Sequence, residues 1–301
     1  MRTRNFTWSD LPALADLKNL LRRAGGEEDA LPNKLLEEEL GQPGLCPEAN
    51  CTVAVGEEGP VGFAIVHPEL RIGRAVLELN VHPHHAWTGV ESLLMRSSLD
   101  RAGELGADYV HVCVYDPERW AGLLESNGFS KVREYLVLRW RRPELVRPEL
   151  PDGFELRSLR PGEEHLLTMA QNEAFTGSWG FSPNTTEEVA YRVAMTGTGP
   201  EGVLLLRRDD AVAGYCWTRI MGAPGRSVGF ISMIGVVPEY RGQGLSKPLL
   251  LRGMEHMRAR GVGSIQLEVD SENAPAIGLY TSVGFREEAR LHWFEETLSA
   301  D

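Results

Sequence analysis

GVVPEYRGQGLSKPLL, residues 235–250, passes from an apolar run through a proline and an arginine into a Gly-x-Gly pair, then into a segment of helical period. Leu245, Leu249, Leu250, Met254 and Met257 recur at that period and predict a helix with one apolar face over 244–260. A strand, a glycine turn and a helix N-terminus aim several unpaired backbone N–H groups at one spot, where the helix dipole favours an anion. Gly242 and Gly244 lack the β-carbons that would hold a phosphate off the backbone, and Arg241 offers a permanently charged fork. By itself this corner says only that an anion fits.

Its surroundings say more. Downstream, NAPAIGLYTSVGF (273–285) reads as a short helix: Asn273 caps it, Pro275 lies in its first turn, Gly284 ends it, and Tyr280 rides on it. Upstream, LNVHPHHAWTGVESLL (79–94) is a weaker copy of the corner. A shift of 155 residues lays Pro83 on Pro238, Gly89 on Gly244, Leu94 on Leu249 and Gly106 on Gly261. One supersecondary unit is used twice. The copy has Ala86, Trp87 and Thr88 in place of Arg241, Gly242 and Gln243; one residue further on, Asn127-Gly128-Phe129 falls on Val283-Gly284-Phe285, which puts Leu124 in place of Tyr280, so the copy is expected to hold phosphate poorly and to supply no acid.

Short β-branched runs predict strands at 51–55, 61–66, 75–81, 108–114 and 132–140, with helices at 89–104 and 117–126, in the first half. The second half repeats the order with strands at 154–159, 202–207, 211–219, 228–237, 264–269 and 287–294 and helices at 244–260 and 274–282. Between them RRPELVRPELPDG (141–153), with prolines at 143, 148 and 151, has the composition of a stiff linker, and places domains at 1–145 and 146–301. A chain of 301 residues suits two cores.

The net charge of −12 argues against nucleic-acid binding through a basic surface and suits a small cationic partner. The start, MRTRNFTWSD, lacks an apolar signal core, and the longest charge-free apolar run (228–237) is half of the ~20 residues a spanning helix needs. A cytoplasmic protein without a membrane partner is expected. Cysteines 46, 51, 113 and 216 have neither disulfide-scaffold density nor zinc spacing, and Pro83 interrupts His82, His84 and His85, which have no acidic partner nearby, so no metal is expected.

Strand, R-G-Q-G loop, helix, strand, then N-x-x-A-x-x-L-Y-x-x-x-G-F: in this order the sequence resembles the GNAT superfamily of acyl-CoA-dependent N-acyltransferases, most clearly over 150–301. The resemblance implies an α/β fold of two tandem GNAT-like domains, each with a mixed, mostly antiparallel sheet flanked by helices. It implies acetyl-CoA as cosubstrate, its pyrophosphate on the loop made of Arg241, Gly242, Gln243, Gly244, Leu245 and Ser246, with Asn273 also at the coenzyme. The pantetheine arm is expected along the strand edge of Ile234, Gly235, Val236 and Val237, where strand 264–270 splays away. A backbone N–H near Val236 would polarise the acetyl carbonyl, and Tyr280 would return a proton to the departing thiolate. Glu173, Glu268 and Asp270 are the candidate bases. The tandem mycothiol synthases of this superfamily carry a glutamate early in the strand before the loop, where this chain has Phe230, which leaves the base and that substrate open. Phe175, Trp179 and Phe181 are expected to shape the acceptor site. The acceptor is expected to be a primary amine of a small molecule, the protein a monomer or homodimer; the alternatives are a protein or peptide amine, or a non-catalytic acyl-CoA sensor.

Overall fold

The computed structural model describes residues 1–26, 30–141, 145, 149–222 and 225–298. Of the expected linker, residues 142–144 and 146–148 lie outside the described residues. The chain forms two compact units, Met1–Glu134 with Leu291–Asp301, and Tyr135–Arg290.

Unit 1 contains β1 (Arg2–Asn5), α1 (Leu11–Ala24), α2 (Asn33–Leu40), α3 (Pro47–Asn50), β2 (Cys51–Val55), β3 (Pro60–Glu69), β4 (Arg74–Val81), α4 (Val90–Glu104), β5 (Tyr109–Val114) and α5 (Pro117–Ser126). Its strands run in the order β1-β2-β3-β4-β5 and end on residues His292–Thr297 of β12 (Arg286–Thr297), which pair antiparallel with β5. Only β4 and β5 are parallel.

Unit 2 begins within β6 (Ser130–Trp140) and continues through β7 (Glu155–Ser158), α6 (Glu164–Phe175), α7 (Thr186–Ala194), β8 (Val203–Arg208), β9 (Ala211–Met221), β10 (Val228–Val236), α8 (Ser246–Arg258), β11 (Ser264–Asp270) and α9 (Ala274–Val283). Its sheet runs β6-β11-β10-β9-β8-β7, with β10 and β11 its parallel pair.

The expected seam at 145/146 is therefore corrected: the units divide within β6 and within β12, because each of these strands completes the sheet built by the other half. Packing explains the assignment. Leu136, Leu138 and Trp140 of β6 are buried with Ile265, Leu267 and the α8 residues Leu249, Leu250 and Met254, while Phe294 of β12 packs on the Val110–Val112 core of unit 1. Every strand expected from the sequence is present; β1, α1, α2, α3 and α7 are additions, α7 opening with a capping box between Thr185 and Glu188. The helix expected over 244–260 is the shorter α8.

Side-chain geometry repeats the duplication. Arg4 grips Asp10 through two bonds of 2.7 Å, as Arg157 grips Glu163 at 2.7 and 2.9 Å, six residues apart in both units. Asn19 donates to the Leu31 carbonyl and accepts from its N–H, and Asn172 does the same with Asn184, twelve residues apart in both. These clamps tie the end of α1 or α6 to the segment that opens α2 or α7.

Candidate active site

β10 and β11 hold register only from Val228–Ser264 to Phe230–Gln266. β10 then bulges between Ile231 and Met233 and runs on to Val236, β11 runs on to Asp270, and the two strands part. Beyond Phe230 the β11-facing edge of β10 has no strand partner among the described residues, so its backbone groups open into the splay. Ile234, Gly235 and Val236 lie on that edge.

Gly235 is glycine for space. A β-carbon there would lie 2.9 Å from Ala174 Cβ, 3.1 Å from Phe175 Cε2 and 3.3 Å from Tyr215 Cε1, which packs the end of α6 tightly against β10. Its register partner on β9 is Tyr215, and Gly214 beside it would drive a β-carbon to 2.7 Å from the Gly235 carbonyl. Arg241 secures the same junction: Nη2 donates to the Ala174 carbonyl at 2.7 Å and Nε to the Val236 carbonyl at 3.1 Å. The fork expected to face phosphate instead fastens the carboxyl end of β10 to α6, because two otherwise orphaned carbonyls at element ends lie within its reach.

The glycine loop leaves its backbone open. Gly242 and Gly244 have φ of +77° and +75°, a region that side chains disfavour, and open space surrounds the position of each missing β-carbon. Among the described residues the backbone N–H groups of residues 242–247 make no hydrogen bond; the first such bond in α8 runs from Leu249 to the Leu245 carbonyl. The first turn of α8 holds no acidic residue and Leu245 gives no side-chain cap. Gln243 and Ser246 are exposed, while Leu245 is buried as the helix anchor. A run of free N–H groups on an uncapped, uncompensated helix start fits a pyrophosphate.

Tyr280 is buried on α9, its ring 5.9 Å edge-on from Phe285, and its hydroxyl makes no hydrogen bond among the described residues. Burial, followed by the neighbouring Cys216, pushes the phenol pKa up, so it holds its proton at neutral pH. Glu268 lies on β11 beyond the parting point. Ile265, Leu267 and Val269 point into the α8 core, so Gln266, Glu268 and Asp270 face the α6–α7 side. Glu268 is exposed on β11, desolvation raises its pKa, and it has no ion-pair or hydrogen-bond partner among the described residues. Asp270 accepts from the Glu272 N–H at 3.0 Å in the turn after β11. Glu173 is exposed on α6, with no partner among the described residues. The Asn273 side chain accepts from the Ala276 N–H at 3.2 Å and so caps α9, the expected cap, with its carbonyl oxygen committed to the helix rather than to the coenzyme.

Phe175 and Phe181 stack at 5.5 Å, and Trp179 lies 6.0 Å from Tyr135 of β6, the register partner of Asp270. The three expected acceptor-site aromatics thus gather on the side of the sheet that Glu268 faces. Sequence reasoning missed the Asn172–Asn184 clamp that holds their loop; the repeated twelve-residue spacing of Asn19 and Leu31 was the available signal.

In unit 1 the corresponding loop keeps its shape with different residues. Trp87 has φ of +61°, close to that of Gly242, and Gly89 precedes α4 with φ of +95°. The Trp87 N–H donates to Glu91 Oε1 at 2.8 Å, so a buried carboxylate from the first turn of α4 takes the place of an external anion. Trp87 also meets Trp120 edge-to-face at 5.4 Å, with Arg119 over its ring. Leu124, where unit 2 has Tyr280, is fully buried.

Among the described residues no helix is long and apolar enough to cross a membrane. The profile of the Acetyltransferase (GNAT) family matches residues 167–285. The chain is 32% identical to a mycothiol acetyltransferase of Saccharomonospora viridis, over 94% of this chain and 95% of that protein. It is 34% identical to a mycothiol acetyltransferase of Thermobispora bispora, over 69% and 71%. Among solved structures, a GCN5-related N-acetyltransferase from Sphaerobacter thermophilus superposes with a TM-score of 0.76 at 23% identity, covering 100% of this chain and 97% of that one. A tandem GNAT protein from the clavulanic acid biosynthesis pathway gives 0.75 at 17%, covering 100% and 99%.

Proposed function

Because the chain belongs to the GNAT acetyltransferase family, in company with mycothiol acetyltransferases of matching length, we propose that unit 2 moves an acetyl group from acetyl-CoA to the primary amine of a small molecule. The observation that carries the assignment to unit 2 is the run of unbonded N–H groups at 242–247 beside the open edge of β10, set against the Glu91-filled loop of unit 1.

The roles follow from position. The N–H groups of residues 242–247 hold the pyrophosphate, and the open edge at Ile234, Gly235, Val236 and Val237 receives the pantetheine arm. A backbone N–H near Val236 stabilises charge developing on the acetyl oxygen. Glu268 takes the proton the ammonium must lose before its lone pair adds to the thioester carbon; a desolvated carboxylate with no competing partner is suited to this. As the C–N bond forms and the C–S bond breaks, Tyr280 gives its proton to the sulfur, the new amide nitrogen releases its extra proton to solvent, and Tyr280 is reprotonated from solvent. Phe175, Trp179 and Phe181 wall the acceptor. Glu173 and Asp270 are weaker candidates for the base, the first exposed to solvent on α6, the second accepting a bond within its own turn. Unit 1 serves as a non-catalytic companion domain. The relatives are named for mycothiol; in this chain the β10 position at which the mycothiol synthases carry a glutamate is Phe230, and any such acceptor would meet its base on β11 instead.

The test is a panel of small amines with acetyl-CoA, reading released thiol. Turnover with a small amine that is abolished by Tyr280→Phe while coenzyme binding persists supports the reading; tight coenzyme binding with no turnover across the panel refutes it in favour of a sensor.

A further inference from the structure

Lys18 of α1 sets its Nζ 2.7 Å from Glu39 Oε2 on α2 and 3.0 Å from Glu78 Oε1 on β4. Glu78 also accepts from Asn80 Nδ2 at 2.9 Å and lies 3.8 Å from His67 Nε2. β4 and β5 hold register only from Arg74–Tyr109 to Leu77–Val112, so Glu78 and Asn80 stand beyond the parting point of unit 1's own splay. Lys18, Glu39 and Asn80 line a partly open cavity of about 260 Å³ there, together with the apolar Ala15, Leu31 and Leu35.

The repeated asparagine clamps fix the equivalence. Lys18 directly precedes Asn19 as Gln171 directly precedes Asn172, and Gln171 likewise reaches across to its β-strand beyond the splay, Nε2 lying 2.5 Å from Met233 Sδ. In unit 2 that place holds a neutral amide whose Oε1 is buried and unbonded, and in unit 1 an ammonium between two carboxylates. Burial disfavours each of these charges separately, and the carboxylates outweigh that for the cation: the Lys18 pKa is raised despite desolvation.

We propose that the cavity between α1, α2 and β4 is a primary-ammonium site of unit 1 whose built-in occupant is Lys18. The side chain closes to free amines the position at which unit 2 takes its acceptor, as Glu91 closes the loop to free anions. Both ligands of the ancestral reaction then have a covalently attached counterpart in unit 1. The comparison with the acceptor side rests on the function proposed above, but the site itself is read from unit 1 alone, and its test leaves that function untouched.

In the full chain, Lys18→Gln and Lys18→Ala are expected to lose thermal stability and to regain at least half of it in roughly tens of millimolar n-propylammonium chloride, beyond any wild-type response, as mass action on a vacated site requires. n-Propanol and tetramethylammonium at equal concentration should restore nothing. Equal recovery with n-propanol, or none in a folded variant, overturns the proposal. Recovery by Zn²⁺ and not by the amine overturns it too, since Glu39, His67 and Glu78 offer ligand atoms within 4.8 Å of one another. Should neither variant fold, limited acylation of wild type and Glu39→Gln decides: Lys18 should react more slowly than the exposed Lys34 in the wild type and gain reactivity in the variant, and equal reactivity in both proteins overturns the assignment.

Discussion

Phe230 of β10 and Gln266 of β11 are the last residues that the two parallel strands hold in register, and Glu268 is the next residue on Gln266's face. Glu268→Gln is therefore expected to lower kcat by about 10²-fold or more without weakening acetyl-CoA binding. The acidic limb of the wild-type kcat/KM profile should sit above the ordinary glutamate range and vanish in the variant. The stability sign is also fixed: a carboxyl whose pKa is raised by folding binds protons more tightly in the folded state. Wild-type stability should decline as pH rises from the ordinary value through the folded one, and Glu268→Gln should lack that decline.

Tyr280→Phe removes only the hydroxyl and should reduce turnover by roughly 10²–10⁴-fold with unchanged coenzyme affinity. Stopped-assay thiol release and calorimetric binding of coenzyme A check the two halves of this expectation. Equal losses in both would assign Tyr280 to packing against Phe285.

Gly235→Ala asks β10 and α6 to separate by several tenths of an ångström, because its methyl would meet Ala174, Phe175 and Tyr215 together. Overpacking of this kind costs about 1–3 kcal/mol in urea unfolding. Acetyl-CoA KM should rise as well, since the displaced edge is the one proposed to hold the pantetheine arm.

Arg241→Ala should cost about 1–3 kcal/mol of stability, the range for bonds from a charged donor to carbonyls left unsatisfied. Arg241→Lys should not restore it, since one ammonium cannot span Ala174 and Val236 as the fork does. A phosphate-contacting role predicts the opposite pattern: normal stability and a salt-dependent loss of coenzyme affinity.

Asp10 has a carboxyl pKa lowered to about 2, chiefly by its bonds from Arg4. The pair should contribute about 2 kcal/mol, fully present above pH 4 and lost as pH falls through about 2. Asp10→Asn should be less stable than wild type at neutral pH and equal to it in strong acid, measured by thermal unfolding across that range.

The fold was legible from residues whose backbone requirement is severe: Gly242 and Gly244 before α8, Gly284 after α9, and their echo at Gly89. The strands were legible because burial and pairing alternate within short β-branched runs. What escaped depends on partners distant in sequence. Nothing local to Ser130–Trp140 says that it will pair with residues 265–270 rather than close its own half, and nothing local to Arg241 says that two carbonyls will compete with a phosphate for its fork. The parting of β10 from β11 followed from the family resemblance, whereas the lone carboxylate of Glu268 on its wall gained its raised pKa only from three-dimensional crowding.

The division of the chain within β6 and β12 imposes an order on synthesis. Unit 2 is continuous, Tyr135–Arg290, and can close as it leaves the ribosome. Unit 1, made first, must wait with the edge of β5 bare until residues 292–297 arrive to pair with 109–114. An exposed strand edge held open through the making of a whole second unit invites wrong pairing. The earliest-made half is thus the last to finish: a fragment ending at residue 145 would carry that open edge permanently, and one beginning at 146 would lack the strand that pairs with residues 265–270.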